Sequence, residues 1–225
     1  MKICVLIPSY NESKTIQSLV TKIKSMGLDV LVVDDGSMDQ TSELARSAGA
    51  EVFRHQKNQG KGASLKAGFH YALERDYQAV ITMDGDGQHS PEDIPNFIAA
   101  AAASPAQMIV GNRMHSCQNM PLIRRLTNSV MSGLISLICR RNIRDSQCGF
   151  RLIKRELLSQ LNPISSNYEI ETETIIEARH KGFELEFIPI QTIYAQQASQ
   201  INPVVDTIRF FKFMLKIFCP FFSAK

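Results

Sequence analysis

What most restricts the fold of this 225-residue chain is an alternation of two hydrophobic patterns. Over the first hundred residues, short unbroken apolar runs trade places with segments whose apolar side chains recur every three or four positions. Lys2 to Pro8, Asp29 to Val33, Glu51 to Arg54 and Ala79 to Met83 read as strands. Lys14 to Met26 places Ile16, Leu19, Val20, Ile23 and Met26 at helical spacing, with Gly27 as its stop. Ser37 and Gln40 have the spacing of a capping box, opening a helix that ends near Gly49. Asn58-Gln59-Gly60-Lys61-Gly62 leads into a third helix through Leu65, Phe69, Ala72 and Leu73. Buried strands alternating with amphipathic helices predict an α/β fold, a mostly parallel sheet flanked by helices. Ligands of such sheets bind beyond the carboxyl ends of the strands. Three polar clusters fall there: Ser9–Glu12, Asp34–Ser37 and Asp84–Gln88.

The second half is patterned differently. Pro91 to Ala103 reads as a helix, followed by a strand over Gln107–Val110 and then Gly111-Asn112-Arg113. Residues 121–141 form a basic amphipathic helix, and Asp145 to Arg151 a polar loop. Tyr168 to Lys181 is a helix carrying Glu169, Glu171, Glu173 and Glu177, and Glu184 to Tyr194 a strand region. From Arg113 to Arg155 there are nine Arg or Lys against one acid, Asp145. After Asp206 come Arg209, Lys212, Lys216 and Lys225 with no acid, so the rest of the chain is acidic. Basic surface confined to two segments predicts an anionic partner met on one side of the molecule. Residues 1–206 are expected to form one domain. Residues 207–225, where Phe, Met, Leu and Ile alternate with Arg and Lys, read as an appended segment suited to a membrane interface. Five scattered Cys and the absence of any apolar run of eighteen predict a cytoplasmic protein without structural zinc or a membrane span.

Asp84-Gly85-Asp86-Gly87-Gln88-His89 carries the most pointed chemistry. Two carboxylates one residue apart repel each other unless a cation sits beside them. Oxygen-only donors suit Mg²⁺ or Mn²⁺, hard ions that also hold phosphates. A solvated turn is the competing account; three polar clusters at strand ends favour the functional one. Other motifs are excluded. No G-x-G-x-x-G follows the first strand, and Gly60-Lys61-Gly62 lacks the spacing of a P-loop. An EF-hand would need glycine at His89 and glutamate at Pro95. The basic segment 113–155 has only Phe150 as an aromatic, so nucleic-acid binding is not expected.

Pro8-Ser9-Tyr10-Asn11-Glu12, Asp34-Asp35-Gly36-Ser37, Asn58-Gln59-Gly60-Lys61-Gly62 and Asp84 to His89, in this order, resemble family 2 glycosyltransferases of the GT-A, Rossmann-like fold. Gly111-Asn112-Arg113, Asp145 to Arg151 and Glu169 to Glu173 are similar to the branch that includes dolichyl-phosphate mannose synthase and bacterial polyprenyl-phosphate sugar transferases. The resemblance implies that Pro8, Tyr10, Asn11 and Glu12 line a nucleotide pocket and that Asp35 accepts a hydrogen bond from the base. Asp34 then either shares that task or fixes the turn. Asp84 and Asp86 would hold a divalent cation on the diphosphate, Asp86 as direct ligand with Gln88 beside it. Lys61 would assist, unless it is merely at the surface.

On the acceptor side, Arg113, Arg125 and Ser129 match phosphate-binding positions, and Arg151 is a further candidate. Asp145 reads either as a carboxylate that orients the sugar or acts as base, or as the ion-pair partner of Arg144 or Arg151. Asp86, Asp145 and Arg113 are thus the expected catalytic residues, with Glu171 and Glu173 as further site candidates. One departure stands out: many relatives carry a Ser-Lys pair where this chain has Ser199-Gln200. The expectation is a metal-dependent, inverting glycosyltransferase that moves a sugar from a nucleotide-diphosphate sugar to a polyprenyl or dolichyl phosphate. The basic helix would lie on the acceptor side, at the cytoplasmic face of a membrane. A soluble or glycan acceptor, or a nucleotide-sugar-binding protein without turnover, are the alternatives.

Overall fold

The structure, a computed structural model, describes residues 1–115, 122–191 and 193. In chain order its elements are β1 (Ile3–Ser9), α1 (Ile16–Ser25), β2 (Asp29–Asp34), α2 (Thr41–Ser47), β3 (Glu51–Arg54), α3 (Lys61–Glu74) and β4 (Ala79–Thr82). There follow α4 (Ile94–Ala103), β5 (Met108–Asn112), α5 (Leu122–Cys139), β6 (Arg151–Lys154), α6 (Arg155–Leu158), α7 (Glu169–His180) and β7 (Leu185–Pro189). The seven strands make one sheet in the order β3-β2-β1-β4-β6-β5-β7. β1 and β4 are buried along their whole length, which is why they read as unbroken apolar runs. Helix α1 buries Ile16, Leu19, Val20 and Ile23 and leaves its other faces to solvent.

β1–β2, β2–β3, β1–β4 and β5–β7 pair in parallel. β6 runs against both its neighbours, β4 and β5. The sequence puts Arg151 in the polar loop and leaves residues 152–154 unassigned, because a strand of four shows almost no period, yet Leu152 and Ile153 lie at the centre of the core. Reversal of β6 has a consequence for the site. The chain enters β6 at the end of the sheet where β1 and β4 leave it, so the loop 145–150 arrives beside theirs. Since β2 and β3 lie to one side of β1 and β4 to the other, the crevice between the ends of β1 and β4 is the switch point of the sheet.

Local differences from the expected elements have local causes. The capping box does not form: Gln40 holds the N-cap position of α2 without a side-chain bond. Ser37 instead accepts from the Asn11 amide (2.9 Å) and donates its own amide to Asp34 (2.8 Å), so it ties two loops together. The helix expected from Pro91 is a 3-10 turn over Pro91–Asp93, capped by the Ser90 hydroxyl, before α4 begins. Strand β7 is shorter than the expected Glu184–Tyr194. The segment 207–225 and Gln200 lie outside the described residues. Among the described residues no helix is long and apolar enough to cross a membrane.

Candidate active site

The Asp84–His89 loop is fixed from three sides. Met83 still donates to the Leu6 carbonyl (3.0 Å), so the loop leaves the sheet while tied to β1. The Thr15 hydroxyl donates to the Gly85 carbonyl (2.6 Å), and the Ile193 amide donates to that of Gln88 (2.9 Å). Asp86 accepts the Gln88 amide (2.9 Å), a local turn that sets its carboxylate. His89 is buried against the Phe150 ring, and its Nδ1 accepts the Asp84 amide (3.4 Å). Burial pushes its pKa down to about 4, so it is a neutral prop at pH 7.

Asp84 faces a lysine. The Lys61 ammonium lies 2.5 Å from Asp84 Oδ1 and 2.6 Å from Glu171 Oε1, with the Tyr168 ring 5.5 Å away. The glycines around Lys61 make this reach possible. Gly60 has φ +96°, and a Cβ on Gly62 would lie 2.6 Å from the Ser165 carbonyl. The Gly62 amide donates to the Ser166 carbonyl (2.8 Å), so the start of α3 is capped by the chain leading into α7. Lys61 is therefore neither a surface residue nor part of an open phosphate cradle. Burial opposes its charge, but Asp84 and Glu171 together raise its pKa above the ordinary lysine range. Burial likewise opposes ionisation of Asp84, and Lys61, then His89, hold it below the usual carboxylate range. Gly149 closes the far side: a Cβ there would stand 3.0 Å from both Asp84 oxygens and 3.1 Å from Glu171 Oε1.

Across the loop, burial and then the charges of Asp86 and Asp84 push Glu12 up to about 7. Three carboxylates crowd together there, and Lys61 lies on Asp84 and Glu171. Among the described residues no three His, Cys, Asp or Glu side chains converge into a closed metal cage. Mg²⁺ and Mn²⁺ held by one or two carboxylates and a substrate diphosphate need none, so the donor set fits such an ion.

The nucleotide-side expectations are partly corrected. Asp35 is buried, and its carboxylate is taken by His55 Nδ1 (2.7 Å) and the amides of Gln59 (2.9 Å) and Gly60 (2.7 Å). It shapes the loop before α3, and these three donors leave its Oδ2 one further acceptor position. Asp34 is wholly buried and bonds Ser37 and Ser42, which makes it the structural turn residue. Pro8 is buried within β1 opposite Val33. Asn11 has φ +56° and accepts the Met38 amide (2.9 Å), so it braces the pocket wall. Tyr10 and Glu12 are partly exposed at the mouth.

On the basic side, Arg113 donates through Nε and Nη2 to both oxygens of Asp145, each at 2.9 Å. Asp145 is completely buried, and Arg113 outweighs that burial to hold it below the usual carboxylate range. Its partner is thus neither Arg144 nor Arg151, and a buried, paired Asp145 is no general base. Arg151 is corrected too. It is buried and donates to the carbonyls of Cys148 (2.7 Å), Glu171 (2.6 Å) and Ser146 (3.1 Å) and to Thr174 (2.9 Å), so it braces the protein's own backbone. Glu173 caps the amides of Ile164 and Ser165, both at 2.9 Å, away from the site. Arg125 and Ser129 stand one turn apart on the exposed face of α5. The pairing of Lys61 with Glu171 is what sequence reading missed, since nothing local signals contact between residues so far apart.

The family model described as glycosyl transferase family 2 matches residues 4–161. An uncharacterized protein of Methanocaldococcus jannaschii is 34% identical over 96% of this chain and 90% of its own length. The UDP-N-acetylglucosamine–dolichyl-phosphate N-acetylglucosaminyltransferase of Methanococcus voltae is 28% identical over 86% of each chain. Among solved structures, glucosyl-3-phosphoglycerate synthase of Mycobacterium tuberculosis, crystallised with Mn²⁺, UDP and phosphoglyceric acid, superposes with a TM-score of 0.72. That match covers 93% of this chain and 74% of the other at 20% identity, and it shows the shared GT-A fold.

Proposed function

Because this chain belongs to glycosyl transferase family 2 and is a glycosyltransferase, we propose that it moves a sugar from a nucleotide-diphosphate donor to the phosphate of a polyprenyl or dolichyl lipid. The observation that carries this reading is the juxtaposition at one sheet end of a carboxylate loop, Asp84–Asp86, and a pinned cation, Arg113. Donor diphosphate and acceptor phosphate are both anions, and the site offers each a different countercharge. Mg²⁺ or Mn²⁺ at Asp86 would neutralise the charge left on the nucleoside diphosphate as the sugar departs. Tyr10 and Glu12 flank the nucleotide, and Gln88 orients Asp86 through its amide. Asp145 fixes the plane of the Arg113 guanidinium, which then orients the acceptor phosphate, with Arg125 and Ser129 completing its contacts.

A lipid phosphate is already ionised near neutral pH and attacks the anomeric carbon itself. It needs no general base, which agrees with an Asp145 committed to Arg113. A single displacement by that oxygen inverts the anomeric configuration. Leu126, Val130 and Leu137 are exposed on α5, a helix without a single acid, and this face would rest on the lipid surface that supplies the acceptor. The relative of M. voltae is named for transfer to dolichyl phosphate, which supports the acceptor class.

The test is to incubate the protein with labelled UDP- and GDP-sugars, polyprenyl phosphate and Mn²⁺, and to extract with organic solvent. Label in the lipid phase supports the reading. Label transferred only to water or to a soluble phosphate with every donor removes the lipid acceptor.

A further inference from the structure

We propose that Glu171 is a positioning residue that sets how tightly the Asp84–Asp86 loop holds a divalent ion, by sharing the Lys61 ammonium with Asp84. The inference rests on the reading of that loop as the divalent-ion site.

Lys61 touches both carboxylates at nearly equal range, 2.5 Å and 2.6 Å. Two carboxylates and one ammonium carry a net charge of minus one. Without Glu171 the Lys61–Asp84 pair would be neutral, and Asp84 would offer an incoming cation almost nothing. Without Lys61 the cluster would bind the cation harder, and would cost more to fold. Glu171 is buried, and no other described donor reaches its Oε1. A buried carboxylate oxygen whose one described donor is shared is expensive, so stability alone does not explain glutamate at this position. An uncharged side chain of similar size would fill the space at lower cost.

The surroundings hold the arrangement in place. A Cβ at Gly149 would press on both carboxylates, so glycine there lets Asp84 and Glu171 stand close together. Arg151 donates to the backbone carbonyl of Glu171 (2.6 Å), and the Gly62 and Ala63 amides meet the Ser166 carbonyl just before α7. Helix α7 and the start of α3 therefore bring the second carboxylate to Lys61 as one unit.

Opposite charge changes then have opposite effects, which a merely structural role does not produce. Mn²⁺ binding to the full chain, measured by titration calorimetry without donor, reads them. Glu171→Gln is expected to weaken Mn²⁺ at least about threefold, and Lys61→Met to tighten it by about as much. Lys61→Arg keeps the charge and stays within about twofold of wild type; Lys61→Met combined with Glu171→Gln returns toward it. If Lys61→Met does not fold, the contrast of Glu171→Gln with Lys61→Arg decides. Unchanged binding in Glu171→Gln overturns the inference, as does weakening by both Glu171→Gln and Lys61→Met. Asp86→Ala is the separate control. Wild-type Mn²⁺ affinity in that variant overturns the metal reading itself, and this inference with it.

Discussion

Asp84 and Asp86 differ in what each already holds. Asp84 is engaged by Lys61, whereas Asp86 is partly exposed and set by a local turn. Asp86→Ala is therefore expected to lower metal-dependent turnover by about a hundredfold or more while leaving the melting temperature within about 2 °C, measured by activity and thermal unfolding. His89 gives a prediction in pH. The unfolded chain takes a proton there near 6.5 and the fold not until about 4. The stability it contributes is thus fully present above 6.5 and is lost as pH falls from 6.5 toward 4, by at most ~3 kcal/mol. Urea unfolding at pH 7 and pH 4.5 reads this loss, which His89→Gln should abolish. The residue scale is also where sequence reading reached least far. Residue types and order pointed to Asp84, Asp86 and Arg113, but partners are a matter of three-dimensional packing. Arg113 and Arg151 look alike in sequence, yet one faces Asp145 at the site and the other is spent on buried carbonyls.

Among the elements, β6 does the most to assemble the site and was the hardest to see. Strands β1, β2 and β4 of the same sheet announce themselves by apolar runs that only a doubly covered sheet explains. β6 is four residues long and begins and ends in a cation, so its period is invisible. Its direction brings loop 145–150 to the carboxyl ends of the parallel strands, and Arg151 at its first position latches that loop to α7. Arg151→Lys, which cannot reproduce the guanidinium fork, is expected to cost roughly 3 kcal/mol of unfolding free energy and to leave the acceptor KM nearly unchanged. A variant as stable as wild type with a raised acceptor KM would instead return Arg151 to the anion site. The Gly60-Lys61-Gly62 motif belongs to this scale as well. It is readable as a helix start, but its glycines serve contact with the chain before α7, which no spacing within α3 reveals.

At the scale of the molecule, the segregation of charge was legible from composition along the chain, and the fold places part of it on one helix. α5 carries no acid, and Leu126 (66% exposed), Val130 (52%) and Leu137 (77%) share its outer face with Arg125 and Ser129. The full chain is expected to sediment with vesicles containing anionic lipid more than with neutral ones, and raised salt should release it. Leu126→Glu together with Leu137→Glu should weaken that binding without lowering the melting temperature; unaltered binding would remove α5 from the contact. The account as a whole depends on one transfer, from a diphosphate held at Asp86 to a phosphate held at Arg113. The most direct measurement is organic-phase label from a labelled nucleotide sugar and polyprenyl phosphate, taken with Mn²⁺, with chelator, and with Arg113→Met. Label is expected in the lipid phase with Mn²⁺ alone and is expected to be lost in the other two. Equal label in all three, or label that never leaves the aqueous phase, would contradict the account.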